Sequence, residues 1–409
     1  MILVMSCNLV MLTIAWMLTS LGLHQLLTHY PDRTWALWAA RKKFLISRLG
    51  DAMLIGAVVL AYRIFGTTEY SIIFAAADAI RAGEVAAGWG TELIGGLLVL
   101  GAMTKSAQFP FHSWLPDTME TPTPVSALMH AGVINAGGFL VIRLSPLVSL
   151  SPLALNLLAL VGALTALLGA VVMLTQTSIK RSLAYSTIAQ MGFMMLQCGL
   201  GAFTAALLHI VSHSVYKAYC FLRSGSVLEN AAGRVPAVAT QSAARSVRVW
   251  QFAAAIAAAS LIAFGAFLAF GIDVATKPGG VVLGLVLILA LTQHIWRGVC
   301  SGNGTLSLQS LVQAALIAIA YSAAYRVTDS LLASSTSYRV VAASRLDIAI
   351  MLVVSLGFLG VFLCQMLAGT LSQHRWARAL YIHAINGFYI DIPARRLTAW
   401  FYGQGAPVQ

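Results

Sequence analysis

Three runs constrain this chain more than anything else in it. Leu153 to Leu174, Phe252 to Gly271 and Ile348 to Ala368 each pass without one Asp, Glu, Lys or Arg. Each is about twenty residues long, the length that crosses a hydrocarbon layer about 30 Å thick. Lipid offers backbone amides no partner, so such runs must be helical. A barrel would need alternating segments of about ten residues, and these runs are solid. The whole composition agrees: only 9% of the 409 residues are charged and 59% are hydrophobic, whereas a soluble domain carries roughly 25% charged residues. The expected fold class is all-α, a polytopic membrane protein.

Hydropathy gives about eleven spans, centred near Thr13, Ile55, Leu97, Val133, Gly162, Met191, His213, Ala259, Val286, Ile317 and Gly357. The formal charge of +12 reports topology here rather than nucleic acid. Arg41, Lys42, Lys43 and Arg48 are expected in one connection, Lys180 and Arg181 in a second, and Arg223, Arg234, Arg245 and Arg248 in a third. Arg375 and Arg378 follow the last span. By this count all four lie on one side, the cytoplasmic excess of the positive-inside rule. The expected division is a transmembrane domain over 1–371 and an interfacial amphipathic tail over 372–409, whose arginines alternate with Trp376, Tyr381, Phe388, Tyr389, Trp400 and Phe401. The five cysteines are scattered without a C-x-x-C pair and read as packing residues. The start lacks a basic region and cleavage site, so no removable signal is expected. No Cys/His cluster has zinc-ligand spacing.

Function is expected where lipid should have excluded polarity. An ionisable group at membrane depth costs at least ~2.5–3.5 kcal/mol and marks an ion or proton path. His209, His213 and Lys217 are spaced i, i+4, i+8, stack on one helix face and span roughly 12 Å of depth. Histidine titrates near neutrality, and desolvation makes a lysine a readier proton donor. The plainer reading, histidines bonded to neighbouring helices and a snorkelling lysine, suits a lone group better than three on one stripe. A second constellation places Lys105 just before Pro110 and Pro116, which break the helix and free carbonyls. Broken helices at depth line cavities. His130 follows in the next helix, where a hairpin would bring it between Lys105 and the Lys217 helix. Asp51 and Asp117 are candidate carboxylate partners, Asp51 either for Lys105 or as a cap with Arg48.

The runs Lys105 to His130, Gln176 to Thr187, His213 to Lys217 and Ser224-Gly225-Ser226, in that order, resemble the antiporter-like membrane subunits of respiratory complex I and Mrp antiporters. The resemblance covers roughly Asn8 to Phe270, with a weaker echo at Tyr381 to Tyr389. It implies an antiporter-like fold with broken helices, and a proton route through Lys105, His130, His209, His213 and Lys217. Two departures narrow it. Complex I members place a glutamate after the tryptophan matching Trp16, where this chain has Met17, and carry a later buried lysine, where Ala253 to Gly271 has none. The lateral helix and about four amino-terminal helices of the family are also expected to lie outside this sequence.

Leu23 to Leu27, Lys42 to Leu45 and His130 to Phe139 are similar to the DabB branch, the membrane subunits of bacterial inorganic-carbon pumps. That likeness implies a multi-pass protein of the bacterial inner membrane, not itself an enzyme, which passes protons or sodium ions. It also implies a DabA-like peripheral partner holding a carbonic-anhydrase-like zinc, with no cofactor in this chain. A respiratory or cation/proton antiporter subunit and a non-conducting scaffold remain as alternatives.

Overall fold

The computed structural model describes residues 1–86, 88–226, 249–277, 279–333, 344–367 and 374–403. Each of the eleven expected centres falls in a helical segment. Leu9–Leu27 (α1), Thr34–Phe65 (α2), Tyr70–Ala82 (α3) and Trp89–Lys105 (α4) come first. The half-helices Thr123–Ala131 (α5) and Ala136–Arg143 (α6) follow, then Pro152–Thr175 (α7), Ile179–Gly199 (α8) and Phe203–Leu222 (α9). Val249–Ala269 (α10), Gly280–Cys300 (α11), Gly304–Leu332 (α12) and Arg345–Met366 (α13) precede two tail helices, Arg375–Ile385 (α14) and Asp391–Tyr402 (α15).

Eight segments among the described residues are long and apolar enough to cross a membrane. The three expected spans outside that set are α4, α8 and α9. These are the helices that carry Lys105, the Ser186-Thr187 pair and the His209-His213-Lys217 stripe.

Local chemistry sets the helix ends. The Asn8 side chain accepts the Met11 amide at 2.7 Å to start α1, and Ser151 with Pro152 at the first helical position starts α7. Gly66, at φ 68°, closes α2 through its amide to the Tyr62 carbonyl. The sequence expectation of a break after Lys105 is met: Ala107 adopts φ 49°, and turns with one short 3-10 helix, Phe111–Trp114, lead on to Pro116. A second break separates α5 from α6 at Gly132. Its freed carbonyls find side chains, Asn135 Nδ2 donating to Ala131 O at 2.8 Å and Ser106 Oγ to Ile134 O at 2.6 Å. Irregular backbone survives at depth when it is satisfied in this way.

The described chain forms two compact units, one of Met1–Ser224 with Ala368–Gln409 and one of Gly225–Leu367. The boundary expected at 371/372 lies outside the described residues, and the described tail residues group with the first unit. Within that unit α7 and α8 approach at small residues. A Cβ on Gly162 would lie 2.4 Å from the Leu196 amide nitrogen, and one on Gly192 2.4 Å from that of Ala166. Where lipid competes equally for apolar groups, such close backbone approach is the means of helix association. The second unit has its own core, an alanine stripe of Ala255, Ala259, Ala263 and Ala266 packed with Leu291, Ile295, Ala314 and Ala318. Lys277 pairs there with Asp329 at 3.0 Å.

Two of the expected connections need correction. Lys180 and Arg181 lie in the first turn of α8, and Arg41, Lys42, Lys43 and Arg48 lie within α2. At 32 residues this helix is about 48 Å long, longer than the hydrocarbon layer. It continues inward with Lys42 and Lys43 only 1% and 2% exposed. Arg234, Arg245 and Arg248 lie outside the described residues.

Candidate functional site

The polar groups fall into three clusters in the first unit. The first surrounds Lys105 at the carboxyl end of α4. Its ammonium donates to the Trp16 carbonyl at 3.0 Å and to Ser20 Oγ at 2.5 Å, and lies 4.5 Å from the centre of the Trp16 ring. Lys43 reaches the same residue, donating to the Ser20 carbonyl at 2.6 Å. Two buried ammonium groups thus share one turn of α1. Of the two partners expected for Asp51, Lys105 or Arg48, the structure has Arg48, at 2.6 Å and one turn away on the same helix. Lys105 is held by neutral oxygens and a π face, with no carboxylate at ion-pair distance among the described residues. A cation so held has little Coulomb attraction to overcome when it moves or gives up its proton.

The second cluster joins α5, α8 and α9. Lys217, fully buried, donates to Ser186 Oγ at 2.8 Å and to the Leu183 carbonyl at 3.3 Å. His130, also fully buried, pairs through Nδ1 with Thr187 Oγ1 at 3.0 Å and stacks on Phe221 of the Lys217 helix at 4.2 Å. His209 pairs with Gln197 at 3.0 Å, and its ring centre lies 5.9 Å from that of His213. Neither ring nitrogen of His213 has a hydrogen-bond partner, nor has Nε2 of His130. Buried ring nitrogens without protein partners call for water. Adjacent residues of α8, Ser186 and Thr187, therefore hold Lys217 and His130 respectively. Lys105 belongs to this cluster only through its chain neighbour, Ser106, whose hydroxyl caps the carbonyl of Ile134 beyond His130.

The third cluster was not foreseen. Lys42 bridges Asp117 at 2.6 Å and Asp391 of the tail at 2.5 Å. Arg395 pairs with Asp391 as well, and its guanidinium lies 5.9 Å from the Trp35 ring centre. Asp117 is thus a partner of Lys42 and not of either relay lysine. Burial pushes the Asp117 carboxyl above the usual carboxylate range against the pull of Lys42. Burial acts likewise on Asp391, but Lys42 and Arg395 outweigh it and hold that carboxyl below its usual range. The run Lys42-Lys43 was the available signal. Nothing in the sequence pointed to Asp391, 349 positions away.

Residues 6–295 match the family described as NADH:quinone oxidoreductase/Mrp antiporter, transmembrane. The chain is 38% identical over 406 residues to the probable inorganic carbon transporter subunit DabB2 of Halothiobacillus neapolitanus, covering 98% of this chain and 71% of that protein. It is 36% identical over 409 residues to the probable inorganic carbon transporter subunit DabB of Hydrogenovibrio crunogenus, covering 99% and 74%. Over 230 residues it is 44% identical to the chloroplast NAD(P)H-quinone oxidoreductase subunit 5 of Chloranthus spicatus, 56% of this chain and 31% of that one. Among solved structures it resembles a chain of the Mrp complex from a Dietzia species, with TM-score 0.53 and 25% identity over 98% of this chain and 43% of that one. A helical membrane fold with broken helices, a match over most of its length and near-full-length likeness to DabB subunits together establish that the chain is a multi-pass membrane protein belonging to the NADH:quinone oxidoreductase/Mrp antiporter family, akin to its DabB members.

Proposed function

We propose that the chain is the ion-conducting membrane subunit of a bacterial inner-membrane system for inorganic-carbon uptake, passing protons or sodium ions. Two buried lysines with no carboxylate partner among the described residues carry the reading, Lys105 held by Trp16 and Ser20 and Lys217 by Leu183 and Ser186. An unpaired buried lysine is costly to keep in a merely structural role. The histidines with open ring nitrogens beside Lys217 suit proton passage. The partner on this reading is a DabA-like peripheral subunit with a carbonic-anhydrase-like zinc, where any hydration chemistry takes place. The similarity to DabB subunits over nearly the full chain supports that pairing.

The test is bicarbonate accumulation by cells expressing the complex. Lys105→Ala and Lys217→Ala each abolish it while the complex still assembles. Normal accumulation by both variants sinks the proposal. A second reading, a subunit of a respiratory or cation/proton antiporter complex, is favoured by the 44% identity to the chloroplast subunit. Co-purification with quinone-reducing or other antiporter subunits selects it.

A further inference from the structure

The amino end of α8 opens into a cavity of about 470 Å³ whose other walls are the break after α4 and the tail. Ser178 makes no side-chain capping bond at the start of this helix, and the first intrahelical bond runs from the Ser182 amide to the Ser178 carbonyl at 2.8 Å. The amides of Ile179, Lys180 and Arg181 thus have no backbone partner among the described residues, as the first turn of a helix requires. The aligned peptide dipoles of this 21-residue helix add partial positive charge at the same end. Such an end favours anions.

Side chains around it are open as well. His112 and Ser113, 2% and 3% exposed, stand in the wall of the cavity, yet His112 Nδ1 and Ser113 Oγ have no hydrogen-bond partner. Nε of Arg181, in the same wall, has none either. Buried polar atoms are normally satisfied, so three left open around one cavity fit an occupant with several oxygens. Lys42 bridges Asp117 and Asp391, and Arg395 pairs with Asp391 as well. Arg181 is then the cation of the wall with no carboxylate at ion-pair distance among the described residues. The two carboxylates narrow the choice of anion. They only accept hydrogen bonds when ionised, so an anion beside them is held best if it brings a hydrogen of its own. Bicarbonate and hydrogen phosphate carry one hydroxyl beside their bare oxygens near neutral pH; sulfate, nitrate and the phosphodiester of a lipid headgroup carry none.

We propose that this cavity binds a small oxyanion that keeps a hydroxyl, of the bicarbonate or hydrogen phosphate class, with its bare oxygens on the first turn of α8, Arg181 and Ser113 and its hydroxyl donating to Asp117 or Asp391. Bicarbonate as the occupant rests on the inorganic-carbon reading; the site itself does not. The tail closes over the cavity, with Gln176 donating to the Ile385 carbonyl at 3.3 Å and Gly387 so close that a Cβ on it would lie 2.9 Å from the Tyr185 hydroxyl. An occupied site therefore ties α8 to the tail helices.

The experiment follows hydrogen exchange of the amides of α14 and α15 in the full chain within its detergent-solubilised complex, near neutral pH and at equal ionic strength in bicarbonate, inorganic phosphate, sulfate or nitrate. A ligand that binds only the docked tail slows exchange in proportion to its concentration above the dissociation constant, roughly tenfold at ten times that constant. The expected result is such protection by bicarbonate and phosphate, none by sulfate or nitrate, and its loss in Arg181→Gln. Ser113→Ala, expected to weaken binding at least threefold, takes the place of Arg181→Gln if that variant does not assemble. Equal protection by sulfate, protection by neither hydroxyl-bearing anion, or protection unchanged in both variants overturns the site. Protection seen only in nanodiscs containing phosphatidylglycerol overturns it in favour of a lipid phosphate. Phosphate acting without bicarbonate supports the site and refutes bicarbonate as its occupant, whereas the inorganic-carbon reading itself is decided separately, by bicarbonate accumulation in cells carrying Lys105→Ala or Lys217→Ala.

Discussion

Replacing Lys42 by methionine leaves two carboxylates facing each other with their shared cation gone. Lys42 is 1% exposed, and its ammonium lies 2.6 Å from Asp117 and 2.5 Å from Asp391, whose side chains are 11% and 27% exposed. Removing one partner of a buried pair costs about 3–5 kcal/mol, mostly through the uncompensated charge left behind. The cost here is reduced because Asp391 keeps Arg395 and because a quarter of its side chain remains solvated. A loss of roughly 2–3 kcal/mol in tail docking follows, a factor of about 30 to 150 in the ratio of docked to undocked tail. Hydrogen exchange of the amides of α14 and α15 in the detergent-solubilised complex reads that ratio directly. Asp391→Asn should accelerate exchange less than Lys42→Met, since Lys42 then still neutralises Asp117. Acceleration below threefold in Lys42→Met, or a larger effect in Asp391→Asn, refutes the bridge as the element that holds the tail.

The same bridge has a pH dependence with a defined sign. Asp391 titrates below its ordinary value of 3.8 when folded, so its contribution is complete above that value and disappears as pH falls through the folded value. Asp117 is shifted the other way; it takes up its proton first on acidification, which by itself favours the folded state. Tail exchange, corrected for the intrinsic rate, should therefore hold level or slow from pH 8 to pH 5 and rise only below pH 4; a rise already at pH 6 contradicts this assignment. At the α7–α8 contact, Gly192→Ala sets a methyl 2.4 Å from the Ala166 nitrogen. It should destabilise the unit by about 1–3 kcal/mol, seen as a lowered thermal unfolding midpoint, whereas Gly96→Ala, where a Cβ meets nothing within 4 Å, leaves the midpoint in place.

The helices were legible because lipid enforces a simple rule: a long apolar run must satisfy its own backbone. Lys217, His209 and His213 stood out for the same reason, as ionisable residues with helical spacing in a solvent that penalises them. Pro110 and Pro116 likewise marked a break through backbone chemistry visible in one dimension. Lys42 and Lys43 were misplaced because a basic pair beside an apolar run reads equally well as a loop or as the end of an overlong helix. Their burial depends on which faces of α1, α2 and the tail meet.

The sequence by itself therefore determined the helical character of the chain, the break after Lys105 and the candidacy of Lys105, His130 and Lys217 as buried ionisable groups, since each follows from local composition and period. Only the tertiary structure decided the pairings: Lys105 and Lys43 on Ser20, Asp51 with Arg48, His130 on Phe221, and Lys42 between Asp117 and Asp391. Coulomb and hydrogen-bond partners are chosen by distances of a few ångströms between helices far apart in the chain. Hydropathy, which counts residues along one segment, contains no term for them.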